Sequence, residues 1–167
     1  GITTIMVTHD QAEALATSDR IAVMQGGRIL QFEAPEPLYG APATAFIAGF
    51  VGSPPANLLP LTASGPDSWT LADGQVWQPA ASLAPKANGA ATGRACLLAL
   101  RPESLTIGTT GDGGLRARVA AVEFNGGDRL VHAETGGTRI TVRIAASEAV
   151  TGPDILLFPP HQAPVLF

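Results

Sequence analysis

The chain has 167 residues, of which 46% are apolar and only 14% are charged, and its net charge is −4 at pH 7. This length allows one or two domains with a buried core. The negative charge argues against a general nucleic-acid-binding protein, which needs a basic face. The low share of charged residues suggests that part of the surface is normally covered. No apolar run approaches the ~20 residues that span a bilayer.

The cysteine content and the first residues suggest where the chain comes from. A single cysteine, Cys96 in the apolar run from Ala95 to Leu100, excludes an internal disulfide and fits a reducing compartment. The chain opens on an apolar stretch, without a secretory signal or an initial methionine. We therefore expect a fragment of a longer protein.

The opening stretch predicts a strand followed by a helix. Ile2 to Val7 is β-branched and apolar without strict alternation, which is typical of a strand buried on both faces of a parallel sheet. Asp10 can cap the following helix, and Glu13 can reach back to complete an acidic capping box. His9 then lies at the carboxyl end of the sheet, where open α/β folds bind ligands.

The next segment predicts a hairpin and two short helices. Gly26-Gly27 joins the apolar strands Arg20 to Gln25 and Arg28 to Phe32. Pro35 suits the first turn of a short helix, and Pro42 opens another helical stretch. We expect the apolar face of this second stretch to be core: Phe46, Ile47, Phe50 and Val51.

A domain boundary is predicted at Gly52-Ser53-Pro54-Pro55, because two prolines cannot continue a helix. Beyond it, short apolar runs between glycine-rich turns predict a small β-barrel or sandwich. We expect Ala80 to Gly93, which is rich in alanine and glycine, to be a mobile connection. The predicted strands are Leu58–Thr62, Trp69–Leu71, Gln75–Gln78, Ala95–Arg101, Leu115–Phe124, Arg129–Glu134, Thr138–Ile144, Ile155–Phe158 and Val165–Phe167.

Arg101-Pro102-Glu103 marks a sharp turn at the end of a predicted strand. Arg101 could contact an anion, or it could pair with Glu103 across the turn. The structural interpretation is favoured, because exposed ion pairs are usually structural and weak.

The string Val7-Thr8-His9-Asp10-Gln11-Ala12-Glu13-Ala14, followed by Ser18 to Met24 and Gly26 to Ile29, resembles the switch-histidine region of ABC-transporter ATPase subunits. The resemblance implies that His9 donates a hydrogen bond toward the γ-phosphate of ATP in the parent protein. A fixed N–H donor would there face charge that develops during phosphoryl transfer. Asp10 and Glu13 would cap the helix beside this site.

Further along, Leu100 to Leu105, Val122 to His132 and Leu157 to His161 resemble the accessory TOBE domain of the maltose/glycerol-3-phosphate importer type. The resemblance implies a mostly β protein: an OB-like (TOBE) small β-barrel or sandwich preceded by an α/β remnant of an ABC ATPase domain. The expected domains are 1–52, the remnant of the nucleotide-binding domain, and 53–167, the TOBE/OB-like regulatory domain. The spacing from Asn125 through His132 to Arg143 resembles most the sn-glycerol-3-phosphate importers.

Three motifs needed for ATP hydrolysis do not occur in the sequence: Gly-x-x-x-x-Gly-Lys-Ser/Thr, Leu-Ser-Gly-Gly-Gln, and an apolar strand ending in Asp-Glu. We therefore expect an ATPase parent that uses ATP and Mg²⁺, and a fragment that is no enzyme and needs no cofactor. The resemblance implies a second ATPase subunit, membrane-spanning permease subunits and a possible regulatory protein as partners. A homodimer on the cytoplasmic face of a bacterial plasma membrane is expected.

A stand-alone module that binds an oxyanion or a sugar is the alternative. Its cationic groups would be Arg101, Arg116, Arg118, Arg129, Arg139 and Arg143. Single-stranded nucleic acid is a weaker alternative, because few aromatic residues are available for stacking. No metal site is predicted, since His9, His132, His161 and Cys96 lack the spacing of metal ligands. We expect His132 to be structural and His161 to be exposed.

Overall fold

The computed structural model describes residues 2–65, 68–78, 92–111, 113–159 and 165–167. Two compact units follow one another, residues 1–55 (unit 1) and 56–167 (unit 2). His161 and most of the predicted connection from Ala80 to Gly93 lie outside the described residues. None of the helices in the described ranges has the length and apolar character needed to cross a membrane.

Unit 1 consists of a β-hairpin and three short helices. Gly26 and Gly27 have φ values of +58° and +75°, which suit the tight turn of the predicted hairpin. The two strands pair antiparallel along their length, with one bulge after Val23. The elements are α1 (Gln11–Thr17), β1 (Ile21–Gln25), β2 (Arg28–Glu33), α2 (Pro35–Gly40) and α3 (Ala45–Phe50).

The predicted opening strand is wrong for this chain. Residues 2–7 form no strand, and the side chains of Ile2, Ile5 and Val7 are at least 90% exposed. A buried strand needs neighbours that supply hydrogen bonds and cover its faces. None of the described residues pairs with this segment.

The core of unit 1 is small and confirms only half of the predicted face of α3. Ile47 and Val51 are buried with Val23 and Leu38. Phe46 and Phe50, in contrast, are 38% and 45% exposed, and their rings stack on each other with centroids 5.5 Å apart. The helix has only six residues, so its partners cover one narrow stripe and leave the two phenylalanines outside.

Unit 2 forms two open five-stranded sheets. One has the order β10-β9-β8-β11-β7 and the other β12-β6-β3-β4-β5. All nine predicted runs correspond to strands, whereas the short β7 was not predicted. The strands are β3 (Asn57–Gly65), β4 (Ser68–Thr70), β5 (Val76–Trp77), β6 (Ala95–Leu100), β7 (Thr106–Gly108), β8 (Leu115–Phe124), β9 (Asp128–Thr135), β10 (Thr138–Ala145), β11 (Asp154–Phe158) and β12 (Val165–Leu166).

One continuous core joins the two sheets of unit 2. Leu59, Leu98 and Leu100 from one sheet are packed in the same cluster as Val131 and Leu157 from the other. Apolar and polar residues alternate along β10, and its inward side chains at positions 140, 142 and 144 are at most 6% exposed. The arrangement is a sandwich-like pair of open sheets and not a closed barrel.

Candidate functional site

A hydrogen-bonded turn precedes α1. Asp10 caps the helix as predicted, because its Oδ1 accepts a hydrogen bond from the Glu13 N–H at 3.0 Å. The second half of the predicted capping box is wrong, because the Asp10 N–H donates to Thr8 and not to Glu13. The Thr8 hydroxyl accepts from the Asp10 N–H and donates to Glu13 Oε2, each at 3.0 Å. Glu13 therefore supports the turn through Thr8, and the backbone on both sides of His9 is fixed.

His9 occupies the bend held by these contacts, and its side chain is exposed. Among the described residues the imidazole has no hydrogen-bond partner, so its N–H is available to a ligand. A phosphate oxygen is an acceptor that suits such a donor. The turn thus fixes the backbone that carries this exposed donor.

The same turn is connected to the end of unit 1. Gln11, the first residue of α1, accepts a hydrogen bond from the Gly52 N–H through Oε1 at 2.8 Å. Leu15, one turn further along α1, packs against the unit 1 core. The start of α1 is therefore held both by a polar contact and by an apolar one.

Arg101 lies between β6 and a 3₁₀ turn, Pro102–Ser104. Its carbonyl oxygen accepts from the Ser104 N–H at 3.0 Å and from the Ser104 hydroxyl at 2.7 Å. The side chain is half-buried. The predicted sharp turn is therefore present.

Arg116 and Arg118 lie two residues apart on the exposed face of β8 and line one depression together with Asp73, Glu134 and Asp154. On the outer face of one sheet, Arg118 lies opposite Asp154 in β11 and Glu134 in β9, and Glu134 lies opposite Arg139 in β10. Elsewhere Arg143 forms an ion pair with Asp128 at 3.1 Å, and Arg129 donates to the Glu148 carbonyl at 3.1 Å. This pattern neutralises the face and gives no concentrated positive potential for an oxyanion.

His132 has structural contacts in β9. Its Nδ1 lies 3.1 Å from the Thr141 hydroxyl, and its Nε2 lies 3.2 Å from Glu123 Oε1. In the ranges that the structure describes, no three His, Cys, Asp or Glu side chains gather as metal ligands would.

Asn57 joins the two sheets of unit 2, and the sequence analysis missed this role. Its Nδ2 donates to the carbonyls of Leu100 and Thr141, at 3.1 and 2.8 Å, and its Oδ1 accepts from the Thr141 N–H at 2.7 Å. One amide thus satisfies backbone groups of β6 and β10 where these strands do not pair. The available signal was a lone amide at the start of an otherwise apolar strand.

Gln75 makes a second connection of the same kind. Its Oε1 accepts from the Arg116 N–H at 2.6 Å, while its Nε2 lies 3.3 Å from the Arg116 carbonyl and 3.4 Å from the Thr135 hydroxyl. Thr135 donates to the same carbonyl at 2.8 Å. These buried polar groups hold unit 2 together, and none of them is exposed to a ligand.

Comparisons with known proteins give one family model and several longer relatives. Residues 98–155 match the family model of the TOBE domain. The sn-glycerol-3-phosphate import ATP-binding protein UgpC of Ruegeria pomeroyi is 45% identical over 83% of this chain and 36% of its own length. UgpC of Rhizobium meliloti is 40% identical over 87% of this chain and 39% of its length. The sulfoquinovosyl glycerol transport ATP-binding protein SmoE of Agrobacterium fabrum is 36% identical over 86% of this chain and 40% of its own length.

These relatives are longer proteins, and the chain spans about two-fifths of their length. Among solved structures, the cytoplasmic molybdate-binding protein ModG matches with a TM-score of 0.50 and 18% identity, over 66% of this chain and 94% of that one. This likeness concerns the fold alone. It confirms the expected OB-like fold, with open sheets in place of a closed barrel.

Proposed function

Because this chain belongs to the ATP-binding proteins of ABC importers, whose C-terminal part it matches, we propose that it forms the C-terminal portion of an ATP-hydrolysing importer subunit. Residues 1–52 are then the remnant of the nucleotide-binding domain, and residues 53–167 are the regulatory domain. Relatives named for sn-glycerol-3-phosphate import favour that substrate or a similar polyol phosphate. The turn that fixes His9 at the start of α1 is the observation that supports the proposal most directly.

In the full-length subunit, His9 would donate a hydrogen bond to the γ-phosphate of ATP. Thr8, Asp10 and Glu13 hold the backbone around it, so the segment that carries the donor is in place before charge develops. A preorganised donor of this kind stabilises a transition state more than a ground state. The phosphate-binding loop and the Mg²⁺-binding carboxylate are supplied by parts of the subunit outside this chain. The chain alone is therefore not expected to hydrolyse ATP.

The exposed segment from Ile2 to Val7 fits the same proposal. Its apolar side chains have the pattern of a strand buried on both faces, yet Ile2, Ile5 and Val7 are at least 90% exposed. We infer that it completes the sheet of the ATPase domain in the full-length subunit. The carboxyl end of this strand would then lie at the nucleotide site, as in other open α/β folds.

Unit 2 would act as the regulatory domain of the subunit. It has its own continuous core, so it can move as one rigid unit when a partner contacts it. We propose a second copy of the subunit and the membrane-spanning permease subunits as partners, with a regulatory protein at unit 2 as a further candidate. The subunit would lie on the cytoplasmic face of the membrane, held there by the permease.

Steady-state kinetics of the full-length subunit would test the role of His9. The His9→Ala variant should lower MgATP turnover by about 10²–10³-fold, because the lost donor acts mainly on the transition state. The affinity for ATP should change far less. Arg28→Gln, which alters an exposed side chain at the hairpin turn, is the matched control and should leave both quantities unchanged. Equal losses of affinity and turnover in His9→Ala would contradict the proposed role.

The alternative, an oxyanion-binding module, has less support because acidic side chains lie next to the arginines. Titration calorimetry of the 167-residue chain with phosphate, glycerol-3-phosphate, sulfate and molybdate would separate the two proposals. Saturable micromolar binding would favour the alternative. We expect none of these anions to bind.

A further inference from the structure

The hydrogen bond between Gln11 and Gly52 connects the nucleotide-side turn to the linker. Gln11 follows His9 by two residues, and Gly52 begins the segment Gly52-Ser53-Pro54-Pro55 that leads into unit 2. The two residues are 41 positions apart, yet Oε1 and the amide nitrogen are separated by 2.8 Å. Gly52 has a φ of +120°, which L side chains rarely adopt. The amide of Gln11 therefore stabilises a path that only glycine takes easily.

Apolar packing reinforces this connection. Leu15 of α1 and Val51, the residue before Gly52, belong to the same core of unit 1. Val51 also ends α3, because its N–H bonds to the Ile47 carbonyl at 2.8 Å. The linker thus leaves from a point that is fixed to α1 by one polar and one apolar contact. A change in the position of α1 must alter this exit point or break the bond.

We propose that Gln11 is a positioning residue that transmits the state of the His9 turn to the linker. This inference rests on the proposed contact between His9 and the γ-phosphate. The bond from the Gly52 N–H to Gln11 is present without nucleotide, and a phosphate bound to His9 makes opening of the first turn of α1, and with it of this bond, less frequent. The exit path toward unit 2 is then restricted in the nucleotide-bound subunit and freer in the empty one. A variant of Gln11 without the side-chain oxygen separates phosphate binding at His9 from the response of the linker.

Hydrogen–deuterium exchange of the full-length subunit tests this transmission. A non-hydrolysable ATP analogue with Mg²⁺ should slow exchange of the linker peptide around residue 52 by about 5-fold, because about 1 kcal/mol of added stability makes opening of the existing bond about that much rarer. Gln11→Met, which keeps a long unbranched side chain but lacks the oxygen, should abolish this difference. Gln11→Glu retains an acceptor oxygen and should preserve it. Equal nucleotide-dependent protection in Gln11→Met and wild type would overturn the inference.

Nucleotide affinity and exchange of α1 complete the test. Gln11→Met should bind the analogue within about twofold of wild type, because Gln11 itself does not contact the phosphate. If Gln11→Met speeds exchange of α1 in the empty subunit, the His9→Ala variant provides the test. The proposal requires that His9→Ala also abolishes the nucleotide-dependent change in linker exchange. A wild-type subunit that does not bind ATP would refute the proposed function. A subunit that binds ATP and depends on His9, but shows no linker response, would refute only the role of Gln11.

Discussion

Two apolar stretches of similar composition end in opposite environments. In β3, Leu59, Leu61 and Ala63 are at most 3% exposed, whereas Ile2 and Ile5 near the N-terminus are at least 90% exposed. Strand β3 is hydrogen-bonded to β4 on one side and to β6 on the other. Residues 2–7 have no such neighbour among the described residues. An apolar pattern therefore specifies a strand only together with the strands that receive it.

The same contrast distinguishes the two units. Unit 2 contains both sheets that bury its side chains, so its strands were predicted well from sequence alone. Unit 1 has a core of four buried apolar residues, and it leaves Met24, Ile29 and Phe32 of its hairpin more than half exposed. Such a surface in a small unit indicates an interface with other protein.

The largest expected effect comes from truncating the core of unit 2. Leu59→Ala should destabilise this unit by about 2–5 kcal/mol, because the fully buried side chain leaves a cavity. Ile5→Ala should change stability by less than about 0.5 kcal/mol, since its side chain is exposed. Urea unfolding followed by tryptophan fluorescence measures the change in unit 2, where both tryptophans, Trp69 and Trp77, are buried, and far-UV circular dichroism measures the change in unit 1, which has helices and strands of its own. Similar midpoints for the two variants would show that the contrast between the segments is wrong.

A smaller effect is expected for the amide that joins the sheets. Asn57→Ala leaves backbone groups of Leu100 and Thr141 without their partner and should cost about 2–3 kcal/mol. The matched control is Asn125→Ala at an exposed hairpin turn, which should be nearly neutral. The same fluorescence-detected unfolding applies. Equal effects of the two substitutions would mean that the junction between β6 and β10 does not depend on this side chain.

These two predictions also show what the sequence could and could not reveal. Period-two patterns and glycine turns predicted the strands of unit 2 because each strand packs against neighbours in the same chain. The roles of Asn57 and Gln75 could not be predicted, since they join segments more than 40 residues apart. The cap at Asp10 was predictable from local spacing, whereas the bridge through Thr8 depends on side-chain rotamers. The exposure of Phe46 and Phe50 was missed because helical spacing alone does not say how wide the covered stripe is.

The uncovered segment of unit 1 should cause association. We expect the 167-residue chain to form a dimer or larger assembly through Ile2 to Val7. A segment with exposed apolar side chains and unpaired backbone N–H and C=O groups is a template for strand pairing. Replacing both Ile5 and Val7 by lysine should weaken this association at least about tenfold, measured by light scattering over a concentration series. A chain that remains monomeric at high concentration would contradict the prediction.

Unit 2 offers the control for this experiment. Val122 and Phe124 at the end of β8 are 46% and 71% exposed, so they provide a second apolar surface. The double substitution of these two residues by lysine should leave association unchanged. If this variant dissociates and the Ile5/Val7 variant does not, unit 2 forms the contact between the chains. A version starting at Ser53 should then dimerise as well as the full chain.

The smallest effect concerns Cys96 and appears only at alkaline pH. Its side chain is 9% exposed, with Sγ 3.6 Å from the Leu61 carbonyl oxygen. Burial raises the pKa of this thiol above its ordinary value of 9.0, while the charge of Arg94 opposes the shift. A raised folded-state pKa means that the folded protein holds the proton more tightly than the unfolded chain. The contribution to stability is therefore complete below pH 9.0 and is lost as pH rises through the folded-state pKa.

Unfolding midpoints of wild type and Cys96→Ala at several pH values between 7.5 and 10.5 measure this loss. The substitution itself should lower stability by a constant amount at neutral pH, because it removes a buried sulfur atom. Above pH 9.0 the wild type should lose up to about 1.4 kcal/mol more per pH unit than the variant, since only its unfolded chain then releases the thiol proton. Other groups that titrate in this range are common to both proteins and cancel in the difference. Parallel pH dependences would mean that the thiol ionises equally easily in the folded sandwich and in the unfolded chain, and that the core around β6 is open to water.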